Sequence, residues 1–144
     1  MKIPGREDIN VYDSLDERTA CDHFLGKNLD EAEAMFQESS IYYQEDLMWM
    51  GTVAFRYYLP AVARFIRSEA ADEDFVAHFS GTLKFRLEYE PRELAPVADQ
   101  LAALCDYIIE HWSRFEDGME AYGDIRARFV ALRDAFSRQK QESH

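Results

Sequence analysis

Apolar residues recur every three or four positions through most of this chain, the spacing that places them on one face of an α-helix. They are densest between Gln44 and Pro60, in the run QEDLMWMGTVAFRYYLP. There Leu47, Met48, Trp49 and Met50 are followed at once by Gly51, read as a break where a helix is stopped by a residue free to take positive φ. Thr52 then offers a hydroxyl cap for a helix whose apolar face is Phe55, Tyr58, Leu59 and Val62. Pro60 lacks an N–H and disfavours helical geometry at Leu59, so this helix is expected to be kinked or broken at Pro60, with residues 61–68 continuing in a new direction.

Upstream, residues 1–13 hold Pro4, Gly5 and several charges without periodicity, the pattern of an irregular lead-in. Ser14 with Glu17, and Asn28 with Glu31, form two capping boxes that mark helix starts. The first of these helices is expected to end near Gly26; the second carries Ala32, Met35, Phe36 and Tyr42 or Tyr43 toward Met50, with Ser39 and Ser40 as its weak point. Downstream, Asp72 caps a segment in which Phe75, Val76, Phe79 and Leu83 keep helical spacing. TLKFRLEY at 82–89 also alternates with period two, so a strand is the alternative there; helix is preferred because no second strand is available to pair with it. Pro96 opens a long helix with Val97, Leu101, Leu104, Cys105, Ile108 and Trp112 as its stripe, running to about Phe115. Ile125, Phe129, Leu132 and Phe136 mark a final helix, and residues 139–144 are expected to fray. The patterning therefore predicts an all-α fold: one domain over residues 1–144, a bundle of five to seven helices with the 101–112 helix at its centre.

Composition agrees with a globular chain and narrows the partner. The 144 residues are 47% hydrophobic and 14% aromatic, enough to bury a core without a staple. With 28 acidic against 16 basic residues the formal charge is −12, which disfavours nucleic acid and anionic membranes and favours a basic partner. Arginines do lie near aromatics at Arg56, Arg64 and Arg67, but acidic neighbours argue for ion pairs rather than a nucleic-acid groove. The opening MKIPGREDIN has no apolar segment of signal-peptide type and no transmembrane run follows, so a cytoplasmic location is expected. Cys21 and Cys105 are far apart and read as reduced, buried thiols.

No catalytic or metal-ligand constellation emerges. Glu-x-x-His pairs, H-E-x-x-H, the nucleophile elbow and the Gly-rich phosphate loops are missing, and Cys21 with His23 is a spacing that points side chains apart on a helix. No cofactor, metal or catalytic residue is assigned. Protein binding remains: Tyr42, Tyr43, Glu45, Asp46, Trp49, Arg56 and Tyr57 combine aromatic anchors with carboxylates and a fork-shaped donor, the mixture that interface hot spots favour.

The stretch DLMWMGTVAFRYYLP at Asp46 to Pro60 resembles a motif of small all-helical bacterial proteins of unknown function, where M-G-x-x-A-F-x-Y-Y-L-P precedes a further helix. That resemblance implies a helical fold and no activity. Acidic single-domain bacterial proteins of this character are also similar in kind to immunity proteins that neutralise a toxin. The expected function is a protein-binding module, an immunity- or antitoxin-type inhibitor that occludes a basic surface. The alternatives are a small-molecule-binding or enzymatic domain with an aromatic pocket near Trp49 and Arg56, or a homo-oligomer, with a homodimer as its simplest form, whose aromatics pair across a two-fold axis.

Overall fold

A computed structural model describes residues 2–142 and is all-α: among them there is no strand, and six helices have ten residues or more. The backbone divides into two compact units, one ending at Ala71 and one beginning at Asp72.

The first unit contains α1 (Arg6–Ile9), α2 (Leu15–Phe24), α3 (Leu29–Gln44), α4 (Asp46–Trp49) and α5 (Thr52–Arg67). Both capping boxes form: Ser14 Oγ accepts from Glu17 N, and Asn28 Oδ1 from Glu31 N at 2.8 Å. These close the exposed first-turn N–H groups of α2 and α3. α2 stops where Gly26 takes φ +79°, and the Tyr58 hydroxyl, 2.8 Å from the carbonyls of both Phe24 and Lys27, satisfies the end of that helix. α3 packs chiefly on α5 and α2 on α4. Their core is a chain of rings, Phe65 to Phe36 to Phe24 to Tyr58, with centroids 4.9–6.0 Å apart and tilted planes.

Several local expectations are corrected. The lead-in is not wholly irregular: Arg6–Ile9 is a short helix, anchored by the fully buried Ile9. α4 ends at Trp49 with Met50 as its C-cap, and Gly51 is instead the N-cap of α5, at φ −58°, so positive φ is not its purpose. A Cβ there would lie 2.1 Å from the Asp8 carbonyl oxygen, and the Gly51 N–H donates to Ile9 O at 2.9 Å. Glycine is required by the close approach of two backbones, which no local pattern reveals. Thr52 is accordingly the first helical residue rather than the cap. α5 runs through Pro60 as one element, so of the two alternatives, kinked or broken, the broken one fails, with Leu59, Ala61 and Val62 all buried around the missing N–H. Packing on both sides of the proline holds the turn. The helix interior that leaves helical dihedrals is in α3, at Ser39, with φ −156° and ψ 73°.

The second unit contains α6 (Glu73–Tyr89), α7 (Pro91–Leu94), a 3-10 turn at Ala95–Val97, α8 (Ala98–Glu110), further 3-10 turns at Trp112–Arg114 and Met119–Tyr122, and α9 (Ile125–Glu142). The strand alternative for 82–89 fails: Phe79, Thr82, Leu83 and Arg86 are buried at helical spacing while Tyr89 is exposed. Asp72 caps α6 through Phe75 N at 2.9 Å, as its sequence position implies. The long helix is shorter than its stripe: Pro96 sits in the preceding 3-10 turn, α8 ends at Glu110, and the buried Phe115 directly follows the 3-10 turn Trp112–Arg114. α8 packs chiefly on α9, whose Ile125, Phe129, Leu132 and Phe136 are all buried. α9 continues to Glu142, so residues 139–142 are helical; Gln139 Nε2 donates to Pro91 O at 2.9 Å. Ser143 and His144 of the expected frayed tail lie outside the described residues. Among the described residues no helix is long and apolar enough to cross a membrane.

Candidate functional site

The non-helical residue Ser39 re-aims the last turn of α3, so that Tyr42 and Tyr43 both face α2. There they meet His23, whose ring lies 4.9 Å from the Tyr42 ring and 5.1 Å, edge-on, from the Tyr43 ring. From α4 comes Asp46, only 5% exposed, with Oδ2 at 2.6 Å from His23 Nδ1. His23 Nε2 is 3.1 Å from the Tyr42 hydroxyl. Carboxylate, imidazole and phenol thus form one line running from the interior to the surface, where Tyr42 is 59% exposed.

The electrostatics follow from burial. Desolvation pushes the Asp46 carboxyl above its ordinary value, the hydrogen bond and charge of His23 pull the other way, and nearby Glu45 and Asp16 add to the rise. An ionised Asp46 can only accept, so His23 Nδ1–H donates to it; in the neutral ring Nε2 is then the acceptor for the Tyr42 O–H. A buried carboxylate that fixes an imidazole, which in turn fixes an exposed phenol, can hold an aromatic side chain in one orientation and can receive a proton from it.

Of the residues expected to bind a partner, Tyr42, Tyr43 and Asp46 are brought together at His23. Glu45 is exposed beside them at the junction of α3 and α4. Trp49 and Arg56 are half-buried and engaged with their surroundings. Tyr57 is buried with its ring edge-on to Tyr58, 4.9 Å away, and so belongs to the core. Asp46 is likewise corrected: it is an internal partner of His23 rather than a surface charge. His23 is the residue the sequence does not single out. Its partners lie 19 and 23 positions away, and no local spacing encodes them.

A concavity lies within the other unit, a cavity of about 470 Å³ lined by Trp112, Glu116, Met119, Glu120 and Arg126 among others. Among the described residues no three His, Cys, Asp or Glu side chains gather to hold a metal ion. Comparison with known proteins gives no significant match: no family model, no curated protein and no solved structure aligns with the chain.

Proposed function

We propose that the first unit is a cytoplasmic protein-binding module, an immunity- or antitoxin-type inhibitor that sets Tyr42 and the surrounding carboxylates over a basic partner surface. The observation that carries this reading is an exposed tyrosine held in place: Tyr42 is 59% exposed yet tied at 3.1 Å to a histidine that is itself fixed by a buried aspartate. Immobilising a free side chain at an interface costs about 0.5–1.5 kcal/mol, and an anchor already oriented avoids part of that loss. Tyrosine is among the residues that dominate interface energy. Glu38 and Glu45 are exposed along the same stretch, and the net charge of −12 favours encounter with a cationic surface and raises its association rate.

The test is affinity capture from the host lysate by the wild type, Tyr42→Ala and Glu45→Lys, at low and high salt. A basic protein retained in near equal amount by the wild type, and weakened by both substitutions, supports the reading. An unchanged captured set with Tyr42→Ala, or a clean column with every variant, sinks it.

A further inference from the structure

We propose that Tyr42 is a nucleophile primed to accept an acyl group from an uncharged ester, with His23 as its general base and Asp46 positioning the imidazole. This goes beyond docking, because it concerns the reactivity of one oxygen. A nucleophile within hydrogen-bond reach of a base, and a base oriented by a third group, is the arrangement by which weak oxygen nucleophiles are activated. Here the distances are 3.1 Å from Tyr42 Oη to His23 Nε2 and 2.6 Å from His23 Nδ1 to Asp46 Oδ2. A free phenol is almost wholly un-ionised at neutral pH, so transfer of its proton during attack decides its reactivity. Exposure is divided to suit: Tyr42 is 59% exposed, whereas the His23 side chain is 17% exposed and lies behind it.

Charge selects the donor. Asp22, Glu38 and Glu45 are exposed on the segments that carry the three residues, and the chain as a whole is strongly negative. That field repels phosphoanhydrides and leaves uncharged carboxylic esters as the favoured electrophile. In the step, the bond from Tyr42 Oη to the acyl carbon forms while the ester bond to the leaving oxygen breaks with its electron pair. The phenolic proton passes to His23 Nε2 and the imidazolium faces Asp46; the imidazolium then returns the proton to an alkoxide leaving group as it departs, or loses it to water where the leaving group is a stable aryloxide. The products are acyl-Tyr42 and an alcohol, or acyl-Tyr42, the aryloxide and one proton.

The protein carries its own references: Tyr12 and Tyr89 are 87% and 73% exposed, more than Tyr42, and among the described residues neither hydroxyl has a histidine partner. The full chain is treated with p-nitrophenyl acetate at neutral pH, following p-nitrophenolate release and the acetylated tyrosine by peptide mass spectrometry at short times. Acetylation of Tyr42 about 100-fold faster than of Tyr12 or Tyr89, the usual scale of general-base assistance, is the expected result. His23→Gln and Asp46→Asn remove the preference. Tyr42→Phe, which deletes only an exposed hydroxyl, abolishes the fast phase even if the other variants fold poorly. Labelling in order of exposure, acetyl retained on His23, or a fast phase that survives Tyr42→Phe overturns the proposal. Tyr42→Phe keeps the ring, so retained partner capture with lost acetylation, or fast acetylation of the wild type with no partner captured, separates this inference from the docking function.

Discussion

Gly51→Ala offers the sharpest test of how the first unit is held together. Its φ of −58° suits alanine, so on backbone preference alone the substitution would stabilise by about 0.4–1 kcal/mol, by restricting the unfolded chain. Sterics point the other way. The new methyl carbon would lie 2.1 Å from the Asp8 carbonyl oxygen and 2.7 Å from Val11 Cγ2, where ordinary contact begins at 3.4 Å. The Val11 side chain can rotate; the carbonyl is backbone and cannot, so α1 and the start of α5 must move apart by roughly the 1.3 Å difference between 3.4 and 2.1. That separation breaks the 2.9 Å bond from Gly51 N–H to Ile9 O, a loss of about 0.5–1.5 kcal/mol. It also lifts Ile9, now fully buried, from its site, with about 1.5–3 kcal/mol at stake. The expected net destabilisation is between about 1 and 4 kcal/mol. It is measured by urea denaturation followed by far-UV circular dichroism, with amide exchange at residue 51 reporting the lost bond. Gly81→Ala is the matched control: it lies inside α6, a Cβ there meets nothing within 4 Å, and alanine stabilises a helix interior by up to about 1 kcal/mol. If Gly51→Ala is as stable as the wild type, the close-approach argument is wrong and chain entropy alone governs the position.

Two further predictions concern buried charge. Glu17 accepts from Val11 N, Tyr12 N, Ser14 N and Ser14 Oγ at 2.7–3.0 Å; burial would raise its carboxyl, but these donors, the Ser14 hydroxyl foremost, hold it below the usual carboxylate range. A depressed folded value means this stability is present above the ordinary glutamate range and is lost as pH falls through the folded value. Glu17→Gln should therefore cost about 2–3 kcal/mol at pH 7 and flatten the acid side of the stability profile; a slope equal to the wild type's would refute it. Arg86 is 2% exposed and pairs with Glu90 one turn on, while Glu90 keeps partial access to water. Removing the anion takes a paired counter-charge from a buried cation, whereas removing the cation leaves a carboxylate that water can reach. Glu90→Gln should thus destabilise more than Arg86→Met in thermal unfolding, and the opposite order would show that Arg86 is held by its other neighbours.

Features that depend on neighbours within a turn or two could be read directly from the order of residues. Helical spacing of apolar residues, the Ser14 and Asn28 caps, the Asp72 cap and the stop near Gly26 are local physics, and they locate α2, α3, α6 and α9. Where a local pattern was ambiguous, as in the alternation at 82–89, burial of Thr82, Leu83 and Arg86 on one face decided for helix. Pro60 stays inside α5 for a similar reason: a local propensity is outweighed when the flanking residues are packed on every side. The candidate site was legible only in part. Tyr42, Tyr43 and Asp46 stood out by composition, but the bond that gives them meaning runs to His23, one helix earlier, across a bend at Ser39 whose direction no spacing encodes. Gly51 makes the same point from the backbone, since it is fixed by a carbonyl more than forty residues away. Partners distant in the chain meet only when the helices pack, because burial of the apolar faces, not any local preference, sets which turns come together.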